Sequence, residues 1–350
     1  MQILYSALDW GLGHATRSIP VIKALQNLGY GIDLVATKEQ VIVFSENLQN
    51  IKYIECQPHK IRYGSNIAFG FNSLLLIVEI FKGIRRDKKL VRFLSSTNNY
   101  EAIISDNRYG FYCTNIKSFI ITHQLQPLLP QKIRLFQFLF NQLITKKLKP
   151  FKQILIPDIA QYGLSGRLSK LDGKRLNISY IGILSRFKEP NTDKLENSDL
   201  LIILSGPEPQ RSVLENKIIT DLKRNHPTLN YLMVRGKPNS YNVSEGTITN
   251  HLTTEELNKA ILNSKYVISR AGYSSIMDLI KLKKQALIIP TPGQTEQEYL
   301  VKHLHNNKIL PSLTEQEFTI EKALQLLKKT KFKPQDKYSL NLEKALKAIL

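Results

Sequence analysis

A short segment in the C-terminal third of the chain carries the residue types needed to bind a phosphorylated sugar. Residues 266–299 predict a strand, a glycine turn, a helix, a second strand and then a polar loop. The turn contains Arg270, Gly272, Ser274 and Ser275 and opens the helix. The free N–H groups and the dipole at a helix start favour an anion. We therefore predict a diphosphate site at this turn.

Two polar features after this turn suit the rest of a nucleotide sugar. Asp278 lies one turn into the helix, on a face from which its carboxylate reaches a ribose. The following loop carries side chains suited to sugar hydroxyls, namely Gln294, Gln297 and Glu298. The simpler alternative is an ordinary βαβ unit, with Gly272 in a loop and Asp278 as a solvated helix residue. The ordered combination favours a nucleotide-sugar site.

A second glycine loop follows the first predicted strand and ends in a histidine. Gly11 and Gly13 allow a tight backbone turn, and His14 comes directly after them. Histidine accepts a proton near neutral pH, whereas its simpler role here is packing or capping at the helix entry. The loop lacks the third glycine of the dinucleotide fingerprint, which argues against a nicotinamide cofactor. We predict that His14 is a general base.

A polar cluster follows another predicted strand. Asp106, Asn107 and Arg108 are predicted to bind an acceptor through its hydroxyls or a phosphate, and Asp106 is the alternative base. The simpler alternative is a paired Asp–Arg in a turn. The sequence leaves the choice between His14 and Asp106 open. The other histidines considered, His59 and His251, lack such a context, and structural roles are predicted for them.

Transfer of a sugar from a nucleotide sugar releases the diphosphate as an anion, and this leaving group needs positive charge or N–H donors. Arg211, Arg270 and the glycine turn at Gly206 are predicted to supply them. No Asp-x-Asp pair occurs in the sequence, so the chemistry requires no divalent metal to hold the diphosphate. We predict neither a metal nor a cofactor.

The elements that position these residues alternate between apolar β-rich runs and helical patterns, among them Thr16–Leu28, Ser212–Arg224 and Glu255–Leu262. The predicted strands are Gln2–Leu8, Ile32–Thr37, Lys52–Cys56, Ala102–Ser105, Ser118–Thr122, Gln153–Pro157, Tyr180–Ile183, Leu200–Ser205, Tyr231–Arg235, Thr247–Thr249, Tyr266–Ser269 and Ala286–Pro290. Such alternation indicates parallel sheets covered by helices on both faces.

The chain is too long for one typical core, and its 350 residues with 42% hydrophobic content predict two packed domains. The polar stretches Gly163–Arg175 and Arg186–Asn197 are the predicted boundary region. We predict an α/β protein of two doubly wound, Rossmann-like domains, 1–165 and 175–332. In such sheets ligands bind beyond the carboxyl ends of the strands, so the two domains are expected to face a cleft.

Several features predict a cytoplasmic protein. Cys56 and Cys113 show no metal-ligand spacing and give little support for secretion. Met1 leads directly into an apolar strand without a basic leader. The longest apolar stretch, Leu74–Phe81, is too short to span a bilayer.

The net charge of +20 is concentrated in the first half, where residues 1–180 hold 24 Lys and Arg against 11 Asp and Glu. Much of it lies in segments 81–94 and 132–152, and the second places Ile133, Phe136, Phe140 and Leu143 at helical spacing. Each segment fits either a helix on anionic lipid or a helix docked on a sheet with a lysine rim, and the pair favours a membrane surface. Without nucleic-acid-binding motifs, no nucleic acid is expected as a partner.

Taken in order, these motifs resemble the GT-B-fold glycosyltransferases, especially the peptidoglycan N-acetylglucosaminyltransferase family of MurG and its relatives. The shared motifs are Gly11-Leu12-Gly13-His14, Ser205-Gly206-Pro207, Arg270-Ala271-Gly272 with Asp278, and Pro290 with Gln297-Glu298. They cover both predicted domains. The resemblance implies the GT-B fold, with an N-terminal acceptor-binding domain and a C-terminal nucleotide-sugar-binding domain.

The resemblance also implies residue roles in donor binding. Asp278 matches the acidic residue that holds the ribose, where the family has the longer glutamate. Gln297 and Glu298 match a Gln-Gln pair that contacts the donor sugar, with a carboxylate in place of the second amide.

On the acceptor side, His14 matches the histidine of the family's N-terminal glycine loop, which includes Gly11 and Gly13. His123 and Gln124 resemble two members of a His-Glu-Gln segment at the acceptor face, with the glutamate missing. The resemblance further implies that a C-terminal helix, 336–350, packs back on the first domain. The departures indicate a relative with another substrate pair.

The predicted function is an inverting, metal-independent transfer of a hexose or N-acetylhexosamine. The donor is a nucleotide sugar, with UDP favoured, and the acceptor is a hydroxyl of a glycan or a lipid-linked molecule. Asp278 lacks the Glu-x7-Glu partner of many retaining enzymes, which favours inversion. The alternatives are a non-hydrolysing sugar-nucleotide 2-epimerase of the same fold and a non-catalytic basic membrane- or nucleic-acid-binding protein. The epimerase would leave the basic segments unexplained, and the binding protein would leave the ordered loops unexplained.

Overall fold

The computed structural model describes residues 1–59, 69–160, 163–170, 176–189, 198–237, 247–329 and 340–350. The chain divides into two compact units. Unit 1 consists of Met1–Leu184 together with Ser339–Leu350, and unit 2 consists of Ser185–Tyr338. The predicted boundary stretches Gly163–Arg175 and Arg186–Asn197 lie in part outside the described residues.

Unit 1 is built on a seven-stranded parallel sheet. Its strands are β1 (Gln2–Ala7), β2 (Gly31–Ala36), β3 (Ile51–Glu55), β4 (Ala102–Asp106), β5 (Lys117–Ile121), β6 (Gln153–Ile156) and β7 (Ile178–Tyr180). They lie in the order β3-β2-β1-β4-β5-β6-β7. The central strands are buried on both faces, as expected for continuous apolar runs covered by helices.

The register of this sheet aligns three strand ends. Ala7 of β1 pairs with Asp106 of β4, and Asp106 pairs in turn with Ile121 of β5. Because the strands are parallel, the loops that follow them leave the same edge of the sheet. The sequence segments beginning at residues 8, 107 and 122 are therefore spatial neighbours.

The helices of unit 1 connect these strands. In chain order, these helices are α1 (Gly13–Asn27), α2 (Lys38–Ser45), α3 (Phe69–Thr97) and α4 (Gln137–Leu148). Short 3-10 helices occupy Gln131–Phe136 and Gly166–Ser169. A capping box between Thr37 and Gln40 starts α2 and satisfies N–H groups that the helix leaves free.

Unit 2 contains a five-stranded parallel sheet in the order β10-β9-β8-β11-β12. Its strands are β8 (Ser198–Ile203), β9 (Tyr231–Val234), β10 (Ile248–Thr249), β11 (Ser264–Arg270) and β12 (Ala286–Ile289). Its helices are α5 (Gln210–Asn225), α6 (Thr254–Asn263), α7 (Tyr273–Lys281), α8 (Thr295–Asn306) and α9 (Ile320–Lys329). A core of buried aliphatic side chains, including Leu200, Ile268 and Leu287, joins the sheet to these helices.

The C-terminal segment belongs to unit 1. Its helix α10 (Leu342–Lys347) packs against α1. The side-chain amide of Asn27 donates to Glu343 over 2.7 Å, and the Lys117 ammonium donates to the carbonyl of Leu350 over 3.1 Å. Residues 336–339 of the predicted C-terminal helix lie outside the described residues.

The predicted α/β class is confirmed, and eleven of the twelve predicted strands coincide with observed strands. The other, Tyr180–Ile183, shares only Tyr180 with β7, and the chain has left the sheet after that residue. One helix prediction is wrong in detail. The pattern across 132–152 forms a 3-10 helix followed by α4, because Ile133 leaves helical backbone geometry with φ −122° and ψ 17°. None of the helices in the described ranges has the length and apolar character required to cross a bilayer.

Candidate active site

The His14 imidazole and the Asp106 carboxylate form the centre of the polar site in unit 1. Gly11 has φ +90°, a left-handed conformation that lets the chain turn from β1 into α1. That turn brings His14 Nδ1 to 2.8 Å from Asp106 Oδ1. The His14 side chain is 18% exposed, whereas Asp106 is fully buried. The two alternative bases from the sequence are therefore one hydrogen-bonded pair.

Two residues of α1 saturate the Asp106 carboxylate. Arg17 donates from Nε to Oδ2 over 2.7 Å and makes a second, very close ion pair through Nη2. Ser18 adds a hydroxyl donor at 3.2 Å. Burial alone would raise the pKa of Asp106, but the Arg17 charge, together with the hydrogen bonds from Arg17 and His14, holds that pKa well below its usual range. Asp106 is thus a fixed, ionised acceptor.

The ionised carboxylate determines which nitrogen of His14 carries the proton. Asp106 accepts from Nδ1–H, so the neutral imidazole presents the lone pair of Nε2. Burial, and then the Arg17 charge, lower the pKa of His14 below 6.5, while Asp106 acts in the opposite direction. A neutral imidazole held in this tautomer is the form that general-base catalysis requires.

The predicted acceptor residues after β4 are directed into unit 1. Asn107 has φ +59° and accepts a hydrogen bond from Thr122 over 2.9 Å. Arg108 is buried and pairs with Asp87 of α3. The prediction allowed a turn in which Asp106 and Arg108 pair with each other. The structure instead gives each of them a different partner.

The predicted acceptor residues after β5 lie beside this site. His123 is buried, and its Nδ1 atom is 3.3 Å from Arg17 Nη1. Gln124 is partly buried, and its carbonyl accepts from the Tyr109 hydroxyl over 3.4 Å. Thus His123 contacts the same arginine that holds Asp106.

In unit 2, the predicted diphosphate turn forms the start of α7. Gly272 is the N-cap and makes no side-chain capping hydrogen bond. Ser274 and Ser275 lie in the first turn and are partly buried. A Cβ atom at Gly272 would lie 3.8 Å from the Ser275 hydroxyl, its nearest neighbour. The predicted helix start after β11 is present, and its backbone N–H groups are those predicted to form the anion site.

The two arginines predicted to face the diphosphate are engaged inside unit 2. Arg270 is 1% exposed and pairs with Glu315, with 2.7 Å between Nη1 and Oε2. It also donates to the carbonyls of Pro290 and Gln210. We correct the prediction that its guanidinium faces the ligand, because these partners turn it inward.

Arg211 is likewise paired with carboxylates of unit 2. Its side chain is buried and pairs with Glu215 over 2.7 Å between Nη1 and Oε2. It makes a second, very close ion pair with Glu208. Gly206, which precedes this cluster, has φ +104° and opens the turn after β8. The turn is present as predicted, but the Arg211 charge is balanced by carboxylates of the protein.

Asp278 has a partner from the start of unit 2. The Ser185 hydroxyl donates to its carboxylate over 2.5 Å. Burial raises the pKa of Asp278 to about 6, against the opposing effects of the Arg186 charge and the Ser185 hydrogen bond. Asp278 is therefore not the solvated helix residue of the simpler alternative.

The predicted sugar-binding loop holds its shape through its own side chains. Gln297 Oε1 accepts from the backbone of Thr291 over 2.8 Å, and Nε2 donates to Gln294 over 2.5 Å. Glu298 accepts from the backbone of Gly293 over 2.9 Å. A glutamate at this position can therefore fix the loop by accepting a backbone N–H, as a carboxylate does well.

Several residues near these sites had no predicted role. Arg17 and Ser18 follow His14 at i+3 and i+4, a spacing that places them on one helix face and was visible in the sequence. The Thr291 hydroxyl is buried without a hydrogen-bond partner among the described residues, and no sequence pattern marks it. In the parts of the chain that are described, no group of three or more His, Cys, Asp or Glu side chains is arranged so that it could hold a metal ion.

The sequence is similar to that of known glycosyltransferases. Residues 222–349 match the glycosyltransferase family 28 C-terminal domain. The chain is 23% identical over 284 residues to the UDP-N-acetylglucosamine--N-acetylmuramyl-(pentapeptide) pyrophosphoryl-undecaprenol N-acetylglucosamine transferase of Clostridium tetani, covering 79% of this chain and 75% of that protein. It is 24% identical over 302 residues to the enzyme of the same name from Clostridium botulinum strain Loch Maree, with the same coverage of each.

Solved structures show the same fold. MurG of Acinetobacter baumannii superposes with a TM-score of 0.57 at 14% identity, covering 99% of this chain and 98% of that one. The glycosyltransferase SnogD of Streptomyces nogalater gives a TM-score of 0.65 at 10% identity, covering 100% and 98%. The fold is that of the GT-B glycosyltransferases, and the family 28 match together with these relatives supports the assignment of the chain as a glycosyltransferase enzyme. Within that class it is similar to the family 28 enzymes represented by MurG.

Proposed function

We propose that the protein is an inverting, metal-independent transferase that moves a hexose or N-acetylhexosamine from a UDP-sugar to a hydroxyl of a glycan or lipid-linked acceptor. The observation that carries this proposal is the 2.8 Å hydrogen bond between His14 Nδ1 and the ionised Asp106. It leaves Nε2 as the proton acceptor that an incoming hydroxyl needs. The enzymes to which the chain is similar are transferases, which favours transfer over 2-epimerisation.

The proposed reaction is a single displacement. The acceptor oxygen attacks the anomeric carbon while its proton passes to His14 Nε2. The bond from that carbon to the diphosphate oxygen breaks, and the nucleoside diphosphate leaves with the electron pair. Asp106 stabilises the imidazolium that forms, and Arg17 keeps Asp106 ionised and oriented. The Asp106 carboxylate is buried and already accepts hydrogen bonds from His14, Arg17 and Ser18. We therefore assign the positioning role to Asp106 and the role of base to His14.

We assign donor binding to unit 2. The N–H groups at the start of α7, around Gly272, would meet the diphosphate charge. Asp278 would accept from the ribose hydroxyls. The loop of Gln294, Gln297 and Glu298 would contact the sugar, with its shape fixed by the hydrogen bonds described above. In this proposal Arg211 and Arg270 brace the strand ends and do not touch the phosphates.

A surface on unit 1 supports a membrane-associated acceptor. Large apolar side chains of the 3-10 helix and α4 are exposed, with Leu135 at 90% and Phe138 at 70%. The apolar patch consists of Leu135, Phe136, Phe138, Leu139 and Leu143. The sequence also allowed a helix docked on a sheet with a lysine rim. The exposed phenylalanines favour the lipid alternative.

Cationic side chains accompany this apolar patch. The Lys147 ammonium lies 5.2 Å from the centre of the Phe81 ring, which connects α4 to α3. The exposed cations of these segments are Lys82, Arg85, Arg86, Lys89, Arg92, Lys132, Arg134, Lys146 and Lys149. Apolar side chains with surrounding cations fit a bilayer that contains anionic lipid. We propose peripheral binding to the cytoplasmic face of such a membrane.

A donor and acceptor screen tests the proposed function. The protein is incubated with UDP-, GDP- and dTDP-sugars, each with and without lipid extracted from cells, and nucleotide release and sugar products are measured. We expect release of UDP that depends on the lipid fraction. Isomerised sugar nucleotide without acceptor would identify an epimerase, and no turnover with any pair would reject catalysis of this type.

A further inference from the structure

A second charged network in unit 1 lies behind the loop that carries His14. His59, just after β3, places Nδ1 at 2.7 Å from Asp9 Oδ1 and Nε2 at 3.5 Å from Asp87 Oδ1. Its backbone N–H also donates to Asp9 Oδ2 over 2.6 Å. Asp9 is the first residue of the glycine loop, and Asp87 belongs to α3. His59 thus connects two segments that are 78 positions apart in the sequence.

Arg108 extends this network to the loop after β4. It pairs with Asp87, and its Nη1 atom donates to the Ser6 hydroxyl of β1 over 2.7 Å. With His59 protonated, the two carboxylates and two cations are balanced. Loss of the His59 proton would leave one uncompensated negative charge among largely buried groups, which is unfavourable.

Two glycines allow the required close approach. A Cβ atom at Gly83 of α3 would lie 2.5 Å from the Cδ2 atom of the His59 ring. A Cβ atom at Gly110 would lie 2.3 Å from the carbonyl oxygen of Ile84 and 2.9 Å from the Cβ of Asp87. The helix, the His59 ring and the loop after β4 therefore pack together only because these positions lack side chains.

We propose that protonated His59 is a positioning residue for transfer, holding Asp9 against α3 so that the glycine loop presents His14 in its productive orientation. This inference rests on the proposed transferase function. The physical reason is geometric, because a base displaced by about 1 Å can lose about 10²-fold in rate. Asp9 precedes His14 by only five positions, and Gly11 and Gly13 between them supply little stiffness of their own.

The groups that face the His59 ring explain how pH acts on this contact. They are Asp9 from the glycine loop, Asp87 from α3, and Arg108 and Cys56 around the same network. Burial opposes protonation, but hydrogen bonds to Asp87 and Asp9 raise the pKa of His59 to about 9. The ion pairs of protonated His59 with Asp9 and Asp87 are therefore present at neutral pH and are lost as pH rises through about 9.

The test compares His59→Gln with His226→Gln, a matched substitution at the C-terminal end of α5 in unit 2. Gly83→Ala is the second variant, because it displaces the ring without removing a charge. We measure kcat and KM for donor across pH 6–10.5, and hydrogen exchange of residues 9–13. Both His59→Gln and Gly83→Ala should lower kcat about 10- to 100-fold with donor KM nearly unchanged, and should accelerate exchange in the loop. His226→Gln should do neither.

The pH profile distinguishes positioning from general destabilisation. Wild-type kcat should fall above about pH 9, and His59→Gln should lack that limb because its amide does not titrate. Unchanged loop exchange together with an unchanged alkaline limb in His59→Gln would overturn the proposal. A lower melting temperature without a change in kcat would overturn it too. If wild type transfers no sugar from any donor, the proposed function fails, and loop exchange alone then decides the positioning claim.

Discussion

His14 Nδ1 and Asp106 Oδ1 lie 2.8 Å apart although the two residues are separated by 92 positions in the chain. The contact follows from strand register, since Ala7 and Asp106 pair directly and each precedes a loop at the same edge of the sheet. Arg17 then fixes the carboxylate from the first turns of α1. The proposed base and the carboxylate that would orient it are therefore brought together by the fold of unit 1 itself.

Removing the base should affect the rate and spare donor binding. His14→Ala should lower kcat by roughly 10²–10⁴-fold, the range for positioned proton transfer, with donor affinity nearly unchanged. Asp106→Asn should also lower kcat, and it should destabilise the fold because Arg17 keeps a buried charge without its ion-pair partner. Steady-state kinetics and calorimetry measure these effects. If Asp106→Asn abolishes kcat while His14→Ala alters only KM, Asp106 is the base.

The fall of kcat/KM at low pH should reflect the protonation of His14. Its pKa lies below 6.5 because of burial and the Arg17 charge, so kcat/KM should fall as pH drops through a midpoint below 6.5. Asp278 titrates near pH 6 and would add a donor-binding effect to the same region. The measurement therefore uses Asp278→Asn as the background. A midpoint above 6.5 in that background would contradict the environment described for His14.

Replacing Asp278 by asparagine should weaken donor binding and at the same time stabilise the fold. We expect Asp278→Asn to weaken nucleotide-sugar affinity by roughly 1.5–3 kcal/mol, the range for a hydrogen bond to a charged group. Because the folded-state pKa of this carboxyl is raised from 3.8 to about 6, the free energy of unfolding falls as pH rises from about 3.8 to about 6, and the full loss is present above about 6. Asn should therefore raise the free energy of unfolding at pH 7.5 by about 1–3 kcal/mol, at roughly 1.4 kcal/mol per pKa unit.

The control for this pair of effects is Ser185→Ala. It removes the 2.5 Å hydrogen bond to Asp278 and leaves the carboxylate in place. Because that bond favours the charged form, its loss should raise the pKa of Asp278 further and lower stability at neutral pH. Isothermal calorimetry and thermal melts follow both variants. Unchanged donor affinity in Asp278→Asn would remove Asp278 from the donor site.

Transfer should continue in the presence of a chelator. The sequence has no Asp-x-Asp pair, and the proposal relies on N–H groups at the start of α7 to receive the diphosphate charge. Activity measured after dialysis against EDTA should stay within about 2-fold of the untreated enzyme, since no step then requires a divalent ion. Complete loss that magnesium or manganese restores would reject both metal independence and the assigned diphosphate site.

The apolar patch on unit 1 should govern membrane binding. Phe138 and Leu139 are 70% and 56% exposed, so changing both to serine should leave the fold intact. Each buried apolar side chain contributes about 1.5–3 kcal/mol, so the double variant should bind vesicles containing anionic lipid at least about 10-fold more weakly. Sedimentation with vesicles measures this effect. Val213→Ser, a 53% exposed position on α5, is the control and should bind like wild type.

The sequence predicted the parts of this protein that depend on local patterns. Apolar runs located the strands. Polar residues at the ends of β1 and β4 located the candidate site of unit 1, because parallel strands of one sheet align their carboxyl ends. Those after β11 mark the proposed donor site of unit 2. The spacing of His14, Arg17 and Ser18 also indicated that these three residues lie on one face of α1, the face that contacts Asp106. These features require only periodicity and neighbouring positions.

Contacts between distant segments could not be predicted in this way. Whether Arg270 faces a ligand or the interior depends on Glu315, which only the folded chain brings to it. Structural roles were predicted for His59 because its partners, Asp9 and Asp87, lie 50 and 28 positions away. No periodic pattern records such a network, because its members come from a loop, a strand end and a helix.

The return of α10 to α1 has a consequence for synthesis on the ribosome. Unit 1 includes residues 339–350, so its surface on α1 stays uncovered while the whole of unit 2 is being translated. Domains made of one continuous segment fold in order of emergence, but here the continuous unit is the second one. Unit 1 can therefore be completed only after all of unit 2 has been synthesised, when Leu346 of α10 becomes buried.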